Sequence, residues 1–130
     1  MIPGETILGL DFGNHLWVVL TPANSFGDIV IVNLTTHGRG LCGPACTTIA
    51  VGEQAFVTRE SCVYYRGVMF NPVAPLLQAR EQGFLRQHDR VSAGLLLRIQ
   101  DGALADRVVP RIMKIEIEAS VVRGSDSPSN

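Results

Sequence analysis

The sequence predicts a mainly β protein: a small, partly closed antiparallel barrel with one helix in the C-terminal half of the chain. Residues 16–20 and 29–34 are continuous apolar runs rich in β-branched side chains, a composition typical of buried strands. Residues 113–119 alternate strictly between apolar and polar, which predicts a late strand with one solvent-facing side. Apolar residues recur at helical spacing near 90–101, which predicts the helix.

The two apolar runs predict an antiparallel hairpin, because residues 21–28 between them are rich in turn-forming residues. If the loop is centred near Asn24 and Ser25, paired residues have numbers that sum to about 49 or 50. This register places His15 opposite Leu34 or Thr35.

Other strands are predicted in the middle of the chain, at 47–51, 55–58 and 62–69. Asn71-Pro72 is expected to break the last of these, because proline restricts the residue before it and lacks an N–H group. A short helical turn is predicted over 74–82.

The predicted helix near 90–101 has signals at both ends. Asp89 or Ser92 can cap its first turn, and Gly102 suits its termination. We therefore expect it to end at Gly102.

The composition predicts one domain, residues 1–123, followed by a mobile polar tail at 124–130. The chain has 130 residues, of which 46% are hydrophobic and 18% charged, so it is too apolar to be disordered. No apolar run approaches the ~18–20 residues of a membrane span, and residues 1–10 have no basic segment typical of a secretory signal. We expect a cytoplasmic protein that does not contact a membrane.

The charge is nearly balanced but unevenly distributed. Eleven basic residues oppose twelve acidic ones, and the net charge of −1 excludes a uniformly basic coat for nucleic acid. Residues 1–38 carry three acids and no base, whereas residues 39–114 carry ten bases and six acids. A local phosphate-binding face is therefore compatible with the overall charge.

Three cysteines, an odd number, favour free thiols over a disulfide framework. Cys42 and Cys46 have the spacing C-x3-C, and Cys62 with His37 would complete four ligands for a structural zinc. The simpler interpretation, which we adopt, is three unconnected thiols and no metal.

Candidate catalytic residues gather at one end of the predicted hairpin: His15, Thr35, Thr36 and His37, with Arg39 in the glycine-rich segment that follows. Cleavage of RNA by transesterification removes a proton from the 2′-hydroxyl and delivers one to the leaving 5′-oxygen. Imidazole can do either, since its pKa lies near neutrality. The Arg39 guanidinium can hold phosphate oxygens, and a threonine hydroxyl can donate to the same group. This chemistry requires no metal and no cofactor, but the same residues also suit an ordinary strand end and loop.

Three aromatic residues are candidate substrate-binding residues because nucleobases stack on aromatic rings. Trp17 lies within an apolar strand, so a position in the core competes with a stacking role. Tyr64 and Tyr65 are adjacent in a predicted strand, which places one ring on each face of the sheet.

The order of elements resembles the PemK/MazF family of toxins from toxin–antitoxin pairs. The resemblance covers residues 15–102. The first part of the pattern is an apolar strand, a polar loop and a second apolar strand that ends in Thr35-Thr36. The later part is a serine followed by apolar residues, here Ser61-Cys62-Val63-Tyr64-Tyr65, then Gly83-Phe84-Leu85, and finally a leucine-rich helix that ends in glycine. His15-Leu16 stands where the family has an arginine and a proline that begin its second strand.

This resemblance implies an SH3-like barrel that cleaves single-stranded RNA and forms a homodimer with a groove for an antitoxin-like peptide. In the family, the arginine acts with the threonine after the next strand. Here Thr35 or Thr36 takes the place of that threonine. His15 stands at the position of the arginine, and it can take that place only if the chemistry of the reaction changes. A homodimer is also expected because strand 113–119 would leave an edge free to pair.

Two alternatives remain open at this point. One is a non-enzymatic interaction or adaptor domain, built on the same barrel with its active site lost. The other is a barrel that binds a small molecule in an apolar pocket formed by Trp17, Phe56 and Met69.

Overall fold

Five antiparallel strands form a curled half-barrel with three helices in the computed structural model, which describes residues 1–10, 15–36 and 46–122. The strands are β1 (Thr6–Ile7), β2 (Trp17–Val19), β3 (Asp28–Thr36), β4 (Thr48–Ile49) and β5 (Ser61–Pro72). The helices are α1 (Val73–Glu81), α2 (Ala93–Ala105) and α3 (Arg111–Ser120). The prediction of a mainly β, barrel-like protein is confirmed, and the predicted tail at 124–130 lies outside the described residues.

The predicted hairpin is confirmed as β2 and β3. Trp17 pairs with Asn33 and Val19 with Ile31, so paired residue numbers sum to 50, one of the two predicted registers. The strand order across the sheet is β1-β2-β3-β5-β4, which places the hairpin at its centre.

Strand β5 pairs with β3 along both strands, with a change of register in the middle. Ile31 pairs with Met69, but Asn33, two residues further along β3, pairs with Tyr64, five residues back along β5. The extra residues on β5 form a bulge, which bends the strand and increases its twist. The sheet therefore curls at this point.

Side chains on the two faces of the sheet belong to two apolar clusters. Val18 and Val32 face α2 and α3 and pack with Ile99 and Ile117 in the larger cluster. On the opposite face is the second cluster: Ile7, Trp17, Val19, Ile29, Ile31, Leu76 of α1 and Leu85. The face of the second cluster is called the α1 face below.

The prediction of a strand at 113–119 is wrong, because this segment lies within α3. Pro110 precedes the helix with an extended backbone, and the lysine, glutamate, isoleucine and methionine residues that follow are compatible with helix. Ile117 is buried whereas Ile115 is 60% exposed, which a strand with both side chains on one face would not allow.

Helix α2 begins as predicted, since the Ser92 hydroxyl accepts a hydrogen bond of 3.1 Å from the Leu95 N–H. It continues past Gly102 to Ala105, contrary to the predicted stop. The glycine serves close packing here: a β-carbon at Gly102 would lie 2.1 Å from both Thr47 Oγ1 and the Tyr65 hydroxyl.

The remaining elements agree in part with the predictions. Strand β4 lies within the predicted segment 47–51, whereas β5 extends beyond the predicted 62–69 at both ends, and residues 55–58 form turns rather than a strand. Strand β5 continues through Asn71-Pro72 and passes directly into α1, which matches the predicted helical turn over 74–82 to within one residue at each end. The described residues thus form three helices where one helix and one helical turn were predicted. In the part of the chain that the structure describes, no helix has the length and apolar character needed to cross a membrane.

Candidate functional site

The open end of the β2–β3 hairpin holds the candidate catalytic residues that the structure describes. The Leu34 N–H donates a 2.9 Å hydrogen bond to the Leu16 carbonyl, which extends the ladder to the residue next to His15. Continued by one residue, this register brings His15 opposite Thr35. On the other side of β3, Thr35 pairs with Cys62 and Thr36 with Ser61.

The faces of the strands decide which threonine accompanies His15. Trp17 lies on the α1 face and Leu34 on the opposite face, so alternation assigns Thr35 to the α1 face and Thr36 to the other. His15 is two residues from Trp17 and shares its face. His15 and Thr36 are half-buried, and Thr35 is 7% exposed. The observed register thus favours Thr35 as the partner of His15.

His37 and Arg39 lie outside the described residues. Their predicted roles in proton transfer and phosphate binding stay predictions. In the sequence His37 directly follows Thr36, the last residue of β3, and Arg39 comes two residues after His37.

The aromatic residues divide between core and surface. Trp17 and Tyr65 are buried, whereas Tyr64 on the α1 face is half-buried. The Tyr65 hydroxyl lies 2.8 Å from Thr47 Oγ1 and donates a 2.8 Å hydrogen bond to the Ile99 carbonyl. Burial raises the pKa of Tyr65 above its ordinary value. In this arrangement Tyr64 is the ring whose surface is accessible for stacking.

Asn33 is a candidate site residue that was not predicted from the sequence. Its side-chain oxygen Oδ1 is buried without a hydrogen-bond partner, and so is the indole nitrogen of Trp17, with which it pairs across the hairpin. Asn33 is the one polar side chain in the apolar run 29–34, and this signal was available in the sequence. Unpartnered buried polar atoms are uncommon and call for an explanation.

Sequence analysis also missed a basic cavity beside α3, because it treated this segment as a strand. The cavity has a volume of about 490 Å³ and is lined by Arg107, Val108, Val109, Pro110, Arg111 and Lys114, a set with three cations and no carboxylate. Asp106 adjoins the cavity and accepts a 2.7 Å hydrogen bond from the Val108 N–H. The cavity belongs to the helix side of the sheet, since Val109 packs in the larger apolar cluster.

The expectation of three free thiols is wrong for Cys62, which is disulfide-bonded, while Cys46 is free. A disulfide sulfur is not a thiolate ligand, so the zinc alternative loses one of its four predicted ligands. Cys42 and His37, two others, lie outside the described residues. Within residues 1–10, 15–36 and 46–122, no group of three or more potential metal ligands is found.

No protein-family model matches the chain, and no curated protein matches its sequence.

Proposed function

We propose that this protein is a PemK/MazF-like toxin-type domain that cleaves single-stranded RNA without a metal ion. The observation that carries the proposal is the β2–β3 register, which aligns His15 with Thr35 at the open end of the hairpin. Directly opposed residues have Cβ atoms ~4.5–5.5 Å apart, close enough for both side chains to contact one phosphodiester.

The proposed reaction is a transesterification. The 2′-oxygen attacks the phosphorus and loses its proton, while the bond to the 5′-oxygen breaks and that oxygen gains a proton. His15 transfers one of these protons, and the Thr35 hydroxyl donates a hydrogen bond to a non-bridging oxygen. The products are a 2′,3′-cyclic phosphate and a 5′-hydroxyl, so the reaction consumes no water and needs no cofactor.

Arg39 and His37 complete this proposal from the sequence alone. The guanidinium would neutralise the charge that develops on the phosphate, and the second imidazole would serve the other proton transfer. In the sequence His37 is the first residue after β3 and Arg39 is the third.

The test is cleavage of a fluorescent single-stranded RNA of mixed sequence, in the presence of EDTA, with melting temperatures measured in parallel. We expect His15→Ala to lower the rate by about 10²–10⁴, the usual contribution of an acid–base group, and Thr35→Val to lower it as well. His88→Ala is the matched control, because His88 is half-buried and its ring contacts Phe56, at a centroid distance of 5.5 Å. Intact RNA with the wild-type protein, or full activity of His15→Ala, would contradict the proposal.

A second candidate function is a non-enzymatic interaction domain on the same barrel. Helix α3 favours it, because Ile112 and Ile115 are 63% and 60% exposed, and Val108 before the helix is 48% exposed. Apolar side chains in this arrangement are typical of contact surfaces, here for an antitoxin-like peptide or a second copy of the chain. The earlier argument for a dimer through strand 113–119 no longer applies. Inactivity toward RNA together with stable self-association would favour this candidate.

A further inference from the structure

Two buried polar atoms on the α1 face have no hydrogen-bond partner: Trp17 Nε1, which is a donor, and Asn33 Oδ1, which is an acceptor. Trp17 and Asn33 are each 6% exposed and lie opposite each other in the hairpin. Because each atom is unpartnered, they do not bond to each other. The core thus holds one free donor and one free acceptor on paired residues.

The backbone hydrogen bonds show that these two side chains are close. Leu16 bonds to Leu34 and Leu20 to Val30, so every second pair in the hairpin is a hydrogen-bonded pair. Trp17 and Asn33 lie between them and form a non-hydrogen-bonded pair, in which side chains approach most closely, with Cα atoms about 4.5 Å apart.

The Asn33 amide occupies the place that a side chain on Gly67 of β5 would take. A β-carbon on Gly67 would lie 2.2 Å from Asn33 Oδ1 and 3.1 Å from Cδ2 of the Tyr64 ring. The glycine therefore lets the amide and the ring lie side by side within the bulge of β5. Tyr64 is half-buried, so its ring borders the amide and also reaches the surface.

We propose that Trp17 Nε1 and Asn33 Oδ1 form the floor of a subsite for an unpaired nucleobase, with the Tyr64 ring moving to stack on the base. The inference rests on the proposed action on RNA and assigns the residues that read the base. Each of the four RNA bases carries an acceptor next to an N–H donor on its Watson–Crick edge, which complements one indole N–H and one amide oxygen. Stacking on the half-buried Tyr64 ring is sequence-tolerant, so discrimination would come from the order of donor and acceptor along the base edge: adenine and cytosine carry the donor on the exocyclic group and the acceptor on the ring, and guanine and uracil carry the reverse.

The subsite lies next to the proposed catalytic pair. His15 precedes Trp17 by two residues and Thr35 follows Asn33 by two, so in the antiparallel hairpin both lie on the same face about 7 Å further along the strands. A base held here belongs to the cleaved nucleotide or to its immediate neighbour. Recognition and cleavage would then occur on one phosphodiester unit.

Binding can be measured without cleavage, using 2′-O-methyl hexanucleotides of a single base, which lack the nucleophilic hydroxyl. Trp17 is the single tryptophan of the chain, so its indole N–H gives one resonance in a ¹H–¹⁵N spectrum. We expect one or two of the four hexanucleotides to shift this resonance and to slow its exchange with water. No shift with any of the four would overturn the proposal.

Substitutions test the two atoms directly. Trp17→Phe and Asn33→Leu should raise the Kd of the preferred hexanucleotide about tenfold, the effect of one lost buried hydrogen bond, while leaving or raising the melting temperature. Gln100→Leu is the matched control: the Gln100 amide is equally buried but donates a 2.9 Å hydrogen bond to the Leu20 carbonyl. This control should lower the melting temperature and leave the Kd unchanged.

The outcomes separate this subsite from the proposed function. RNA cleavage without an indole shift, and with Kd unchanged in both variants, would refute the subsite and leave the nuclease intact. An indole shift with base preference but no cleavage of ordinary RNA would refute the nuclease and support the subsite. A buried water that bridges the two atoms and is displaced by none of the four hexanucleotides would refute the subsite as well.

Discussion

The contact between Tyr65 and helix α2 shows how much of this fold depends on single residues. The Tyr65 hydroxyl bonds to the Ile99 carbonyl and Thr47 Oγ1, which ties β5 to α2 and to the residue before β4. Gly102 permits this approach, because any side chain there would occupy the position of the hydroxyl. A glycine that is unfavourable for a helix in isolation is thus required by packing.

Gly102→Ala should therefore destabilise the protein. The added methyl group meets two oxygen atoms at 2.1 Å, and we expect the free energy of unfolding to fall by about 1–3 kcal/mol, the usual cost of overpacking. Gly94→Ala on the same helix is the control, because a β-carbon there has no atom within 4 Å. It should raise stability by up to about 1 kcal/mol through helix propensity. Urea unfolding measures both, and equal changes in the two variants would refute this role of Gly102.

For single residues, the sequence predicted the faces on which Tyr64 and Tyr65 lie, but not the packing of Gly102 or the unpartnered oxygen of Asn33. Alternation along the strand correctly assigned Tyr64 and Tyr65 to opposite faces, since side chains in a strand follow a local rule. The sequence predicted that Gly102 ends helix α2, because the Tyr65 hydroxyl that packs against this glycine is distant in sequence. Asn33 stands out in the sequence as the one polar residue of the run 29–34, but the lack of a partner for its oxygen depends on the neighbouring strands and could not be predicted.

Among the elements, helix α3 departs most from expectation. The alternation of apolar and polar residues at 113–119 fits a strand, but it also places Met113 and Ile117 four residues apart, on one face of a helix. Ile117 packs in the larger apolar cluster with Met113 partly buried against it. A short pattern that satisfies both periods cannot distinguish helix from strand.

Ile115 and Ile117 provide a direct test of this assignment. Ile117→Ala should lower the free energy of unfolding by about 2–5 kcal/mol, because it leaves a cavity in the core. Ile115→Ala, at an exposed position, should change it by less than about 0.5 kcal/mol. A strand would bury both side chains on one face, so similar losses in the two variants would count against the helix.

The hairpin was predictable to one residue of register because both strands and the turn are contiguous in sequence. The register of β3 with β5 was not predictable. Strand β5 begins more than 20 residues after β3 ends, and the register between the two strands changes at a bulge. Of the candidate site, the sequence supplied His15, Thr35 and Thr36 and their common end of the sheet. The choice between the two threonines required the observed register.

At the scale of the whole molecule, Tyr65 and Glu53 illustrate the two directions in which ionisation makes stability depend on pH. Burial raises the pKa of Tyr65, so the unfolded chain releases this proton near pH 10 while the folded protein still holds it. Hydrogen bonds from the Arg98 side chain and the Ala50 N–H hold the pKa of Glu53 below its ordinary value. The Tyr65 contribution is present below pH 10, and that of Glu53 is present above about pH 4.5.

Stability should accordingly fall as the pH rises above about 10, where ionisation of Tyr65 favours the unfolded state. In Tyr65→Phe this alkaline decline should be smaller, although the variant is less stable at neutral pH because it lacks two hydrogen bonds. Tyr64→Phe, at the neighbouring half-buried position, is the control and should keep the wild-type profile. Thermal unfolding between pH 7 and 11 measures the three profiles, and an unchanged decline in Tyr65→Phe would show that another group is responsible.

The edges of the sheet also affect how the protein behaves at high concentration. Strands β1 and β4 lie at the two edges of the five described strands, and each is two residues long. Edges this short offer few unpaired backbone groups on which a foreign strand could grow, which is one way that natural proteins prevent aggregation. Another strand added to β1 or β4 could form only a few backbone hydrogen bonds with the sheet. A partner that docked on β1 or β4 would therefore have to be selected mainly by side chains, so single surface substitutions there should be able to abolish its binding.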